Sequence, residues 1–166
     1  MTLNELNNLN AGDAYKAFET CCVAPRWVDA MVNARPFESE AQVYKHADTI
    51  WAQLSEPDYL AAFEGHPQIG DVSTLRAKYA NTAEKAGHEQ SGMQQASDAV
   101  LEQMMTLNQD YLMKFGFIFI VCATGKSAKQ MLALIEQRLP NERAKELSIA
   151  AGEQAKITRI RLEKIL

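Results

Sequence analysis

The sequence predicts an all-α fold: one domain over residues 1–166, folded as a compact helical bundle of about eight helices. Three observations predict it. Capping residues recur along the chain ahead of apolar runs. Apolar residues return at intervals of three and four, the helical period. The one stretch rich in β-branched and aromatic residues, Phe117 to Cys122, finds no second strand to pair with.

Thr2 with Glu5 has the spacing of a capping box before a first short helix, and Ser39 with Gln42 repeats it. Pro25 suits the first turn of a helix carrying Trp27, Val28 and Met31. From Ser39 to Leu54, Ala41, Tyr44, Ala47, Asp48 and Trp51 fall near helical spacing and predict one buried face. Ser55-Glu56-Pro57-Asp58 starts the next helix. Gly65 to Tyr79 then reads as a loop, in which Pro67 pushes His66 out of the α region. Asn81 to Gly92 is a second irregular stretch. Met93, Ala96, Val100, Met104, Leu107 and Tyr111 predict one long helix to Lys114, broken at Gly116. Phe117 to Cys122 is read as a buried helix or an extended segment. Ser127 caps a helix running to Arg138. Asn141 caps the last and longest, whose apolar positions are Leu147, Ala150, Ala151, Ile157, Ile160 and Leu162.

The chain has 166 residues, enough to bury a full core without staples. Its net charge of −4 argues against nucleic acid or an anionic membrane as partner, because both need a basic face. The longest apolar run, Phe117 to Ala123, is too short to span a bilayer. No signal peptide stands at the N-terminus, and Lys-Ile-Leu at the end is not a peroxisomal signal. The expected location is therefore the cytoplasm. Cys21, Cys22 and Cys122 are odd in number, with two adjacent, and read as buried free thiols.

Among the three histidines, His46 lies in a helix with a surface or core-edge role, and His88 reads as a solvated side chain. His66 is the informative one, because Pro- and Gly-bounded loops are where function concentrates; a structural imidazole fits the same pattern. Glu89-Gln90 reads as first-turn residues favoured by a helix dipole. The alternative reading is a carboxylate that orients an imidazole beside an amide matching the N–H and C=O edge of a cyclic urea. Arg161 is a snorkelling charge on the last helix or a bidentate clamp for a carboxylate. No phosphate loop or nucleophile elbow is present. No metal is expected, because His66, His88 and Glu89 lack a tight His-x-x-x-His spacing.

Taken in order, these residues resemble the OHCU decarboxylase family (2-oxo-4-hydroxy-4-carboxy-5-ureidoimidazoline decarboxylase). The series runs Arg35-Pro36-Phe37, His66-Pro67-Gln68-Ile69-Gly70, Glu89-Gln90, Leu107-Asn108 with Tyr111, and Lys114-Phe115-Gly116-Phe117 with Phe119-Ile120. It closes with Arg138-Leu139, Lys156-Ile157 and Arg161-Leu162, and so covers nearly the whole chain. The His-Pro-x-Ile-Gly form is similar to that of the bacterial branch. The resemblance implies an all-α homodimer without metal or organic cofactor. The small-molecule substrate would be OHCU, decarboxylated to (S)-allantoin at the end of urate breakdown. It places the catalytic histidine on His66 and the glutamate on Glu89. The substrate-binding set falls on Pro67, Gln90, Phe119, Ile120 and Arg161, with backbone amides around Phe119 and Ile120 taking the ureido arm. One departure stands out: where the family often has serine three residues before the Glu-Gln pair, this chain has Ala86.

Two rivals from other classes remain at this point. One is a metal-assisted hydrolase of a cyclic amide built on His66, His88 and Glu89. The other is a non-enzymatic helical scaffold that binds partner helices.

Overall fold

Helices form where caps and apolar spacing call for them. The computed structural model describes residues 1–68 and 93–166, with the backbone alone for residues 93–97. Among the described residues there are eight helices and no strand. They are α1 (Leu3–Asn8), α2 (Ala11–Glu19), α3 (Pro25–Ala34), α4 (Glu40–Ala52), α5 (Glu56–Glu64), α6 (Met93–Phe115), α7 (Ala128–Arg138) and α8 (Arg143–Ile165). The predicted loops Gly65–Tyr79 and Asn81–Gly92 lie outside the described residues from Ile69 onward.

The caps sit where the sequence places them, with local differences. Thr2 Oγ1 accepts from Glu5 N–H, and Ser39 Oγ accepts from Gln42 N–H. The Gln42 side chain, however, accepts from Glu38 N–H rather than closing a box onto Ser39. Full capping boxes occur instead at Ser55 with Asp58 and at Ser127 with Gln130. The sequence reading had not separated α2, which Asn10 caps by accepting from Asp13 N–H at 2.8 Å. The expected Asn141 cap is also corrected. Helix α8 begins at Arg143, and Asn141 Nδ2 donates to the Glu146 carboxylate. Asn141 stands two residues before the first helical residue, one position too early to be the N-cap.

The described residues pack as two units, Met1–His66 with Ile149–Leu166, and Pro67–Ser148. In the first, Leu6, Phe18, Trp27, Val28, Met31 and Phe63 form a fully enclosed core. Arg35 ties its backbone together, donating to the carbonyls of Leu6, Leu9 and Val32. The buried stripe of α4 is Val43, Ala47 and Trp51; Ala41 and Asp48 are exposed, so the predicted face is rotated. Trp51 Nε1 fixes this helix by donating to Ala151 O at 2.9 Å.

In the second unit Leu101, Met104, Tyr111 and Phe115 from α6 pack with Met131 and Ile135 from α7. Gly116 ends α6 with φ +80°, a conformation in which only glycine is unstrained. Phe117 to Cys122 belongs to no helix or strand among the described residues, with Phe117, Ile120 and Cys122 buried. No described helix is long and apolar enough to cross a membrane. All three cysteines are free and buried, as expected.

Candidate active site

His66 is placed by the way α5 stops. After the Ser55–Asp58 box starts the helix, Gly65 and His66 turn their N–H groups back to Ala62 and Phe63 carbonyls at 3.2 and 3.1 Å. A side chain at Gly65 would run into Val23, so glycine lets the helix end lie against that residue. Pro67 follows, exposed and unable to extend the helix. The half-buried His66 ring then meets α8, with Nε2 2.5 Å from Gln154 Oε1.

Helix α8 carries a buried stripe that hydropathy does not reveal. Glu146, Ala150, Gln154, Thr158 and Leu162 are buried at intervals of four. The predicted apolar positions Leu147, Ile157 and Ile160 are only half-buried. Gln154 is 1% exposed, and its Nε2 donates to Thr158 Oγ1 at 3.1 Å. Burial pushes the Cys22 thiol up to about 11, against smaller lowering contributions from Ala24 N–H, Thr158 and Arg161. Arg161 follows Thr158 by three residues and is half-buried; its Nη1 donates to Cys21 O at 3.3 Å. His66, Gln154 and Thr158 thus form one continuous polar chain, with Arg161 a further residue on α8 near the paired cysteines.

The second unit holds Phe119 and Ile120 on the segment between α6 and α7. Arg138 Nη1 donates to Ile120 O at 2.6 Å, and its guanidinium lies 4.5 Å from the Phe119 ring centroid. Its Nε donates to Glu146, which is fully buried and also accepts from Tyr111 Oη at 2.6 Å. Burial first, and the bond to Glu146 second, hold the Tyr111 phenol well above its usual range. A buried ion pair in which each guanidinium nitrogen has a partner therefore fixes the Ile120 backbone.

Of the residues singled out in the sequence, Glu89 and Gln90 lie outside the described residues, as do Ala86 and His88. His46 is exposed, against the edge of Phe37 with ring centroids 5.5 Å apart. Sequence reasoning missed Gln154, Thr158 and Glu146. The available signal was polar residues in phase with Ala150 and Leu162, at spacings where an amphipathic helix puts its core.

A small all-α chain with a half-buried, amide-anchored histidine after a Gly-His-Pro helix end is the arrangement on which the comparisons with known proteins bear. The OHCU decarboxylase family model matches residues 7–163, and the chain belongs to that family. The uric acid degradation bifunctional protein TTL of Arabidopsis thaliana is 32% identical over 89% of this chain and 46% of its own length. A bifunctional uric acid degradation protein of a Bacillus strain is matched over 32% of its length, so the chain spans less than half of either bifunctional relative. The 2-oxo-4-hydroxy-4-carboxy-5-ureidoimidazoline decarboxylase of Amia calva is 28% identical, with 100% of this chain and 95% of that protein covered. A crystal structure of OHCU decarboxylase in the presence of (S)-allantoin superposes with a TM-score of 0.72 at 32% identity, covering 89% of this chain and 95% of the other. A crystal structure of (S)-allantoin synthase shares the fold, with a TM-score of 0.73 at 18% identity over 99% of this chain and 53% of the other.

Proposed function

We propose that residues 1–166 act as one domain that decarboxylates OHCU to (S)-allantoin. The observation that carries this reading is the family match, which runs from residue 7 to 163 and includes every element that holds His66. The substrate explains what the protein must do. Its carboxylate sits on a carbon that also bears a hydroxyl and adjoins a C=N bond. When the bond to carbon dioxide breaks, its electron pair forms a C=C bond, and the C=N pair moves to nitrogen, which takes up a proton. The resulting enol loses its hydroxyl proton while the neighbouring carbon gains one, giving allantoin. The substrate is its own electron sink, so the protein need only hold the ring, orient the carboxylate and move protons.

His66 is the group that moves the proton at the hydroxyl or at the enol, because an imidazole titrates near neutrality. Glu89 orients it or stabilises its cation, and Gln90 reads the ring amide edge. Arg161 holds an anionic or carbonyl group. Pro67 and the backbone at Phe119 and Ile120 contact the substrate, the latter at the ureido arm. The protein is a cytoplasmic homodimer in this reading, and light scattering on the purified chain would return twice its monomer mass.

The test generates OHCU in situ from urate with the two upstream enzymes and follows circular dichroism of the allantoin formed. The expected result is fast appearance of single-handed (S)-allantoin, with turnover reduced on the order of a hundredfold or more in His66→Ala. Slow racemic product at the spontaneous rate would overturn the proposal.

A further inference from the structure

Within the first unit, His66 does not meet Gln154 by accident of packing. Gln154 is 1% exposed and is held at both ends of its amide, by His66 Nε2 at 2.5 Å and by Thr158 Oγ1 at 3.1 Å. An amide offers one end that only accepts and one that only donates. Which end faces the imidazole therefore decides which ring nitrogen carries hydrogen.

The rest of the chain sets that direction. Gln154 Nε2 donates to Thr158 Oγ1 at 3.1 Å. Gln154 Oε1 is then the end presented to His66, and a carbonyl oxygen requires a hydrogen on Nε2. The chain reads as successive donation from His66 to Gln154 and on to Thr158.

We propose that Gln154 is a positioning residue that holds His66 in its Nε2–H form, so that the histidine exchanges protons with its reaction partner through Nδ1. The amide does not touch substrate; it fixes the ring plane and the tautomer. The kinetic part of this inference rests on the decarboxylase reading above, whereas the tautomer is a property of the protein alone.

The experiment has two arms. Long-range proton–nitrogen NMR of the full chain, at a pH of about 8 where an imidazole is neutral, identifies the His66 signals by their loss in His66→Ala. The expected pattern is hydrogen on Nε2 and a bare Nδ1; hydrogen on Nδ1 would overturn the proposal outright. In the second arm, Gln154→Leu removes the acceptor, and Gln154→Glu keeps an acceptor but cannot donate. Circular dichroism confirms that each variant is folded. Gln154→Leu should lower kcat on the order of ten- to a hundredfold, with KM within about twofold of the parent, and Gln154→Glu should recover most of the loss. Unchanged kcat in Gln154→Leu, or no recovery in Gln154→Glu, would refute the positioning role. If His66→Ala is itself fully active, the decarboxylase role of His66 fails, and the NMR pattern still decides the tautomer.

Discussion

Replacing Glu146 with alanine removes the acceptor on which three donors converge. The carboxylate is 0% exposed and accepts from Arg138 Nε, from Tyr111 Oη at 2.6 Å and from Asn141 Nδ2 at 3.1 Å. Arg138 is 7% exposed, so the truncation strands a guanidinium that water cannot reach. Breaking one side of such a pair costs about 3–5 kcal/mol, several times a neutral hydrogen bond. Against a total stability on the order of 5–15 kcal/mol, that is a large fraction. At about 2–4 °C per kcal/mol for a chain of this size, Tm should fall on the order of 10 °C. Urea unfolding followed by circular dichroism measures it as a lower midpoint at unchanged slope. The control removes the whole network, with Arg138→Met, Glu146→Leu and Tyr111→Phe together. It should cost much less than the sum of the single changes, because no buried charge is left unpaired. A loss below about 1 kcal/mol in Glu146→Ala, or additivity in the triple variant, would refute the reasoning.

The same geometry yields two further expectations. Because the folded state holds the Cys22 thiol at about 11, above the thiol range of an unfolded chain, the folded form binds the extra proton between about pH 9 and 11. Stability therefore falls as pH rises through that window, by about 2–3 kcal/mol at its top. Urea midpoints at pH 8 and pH 10.5 should show that fall in the parent and a smaller one in Cys22→Ala; an identical fall in both would refute the assignment to Cys22. Arg161→Lys keeps the charge but loses the planar fork. It should raise KM for OHCU about tenfold or more in the coupled dichroism assay, and an unchanged KM with a lowered Tm would show that Arg161 serves only the Cys21 carbonyl.

What the sequence determined by itself was local. The caps at Thr2, Ser39 and Ser127 and the turn of Pro25 into α3 depend on atoms within four residues, so spacing is enough to find them. Gly116 is legible for the same reason, since a positive φ at a helix end calls for glycine whatever packs nearby. The ordered motif series likewise carried the family, because it is a property of the string. The tertiary structure alone decided what lies far apart in sequence. Gln154, Thr158 and Glu146 look like solvent-facing polar residues until they are buried and paired: His66 meets Gln154, Gln154 donates to Thr158, and Tyr111 and Arg138 meet Glu146. Phe117 to Cys122 could be helix or extended chain until the buried Arg138 claimed the Ile120 carbonyl. Asn141 reads as the α8 cap from the sequence, but the helix begins at Arg143 and the Asn141 amide donates to the buried Glu146 carboxylate instead. In each case a buried polar group needs a hydrogen-bond partner, and only the folded chain supplies one.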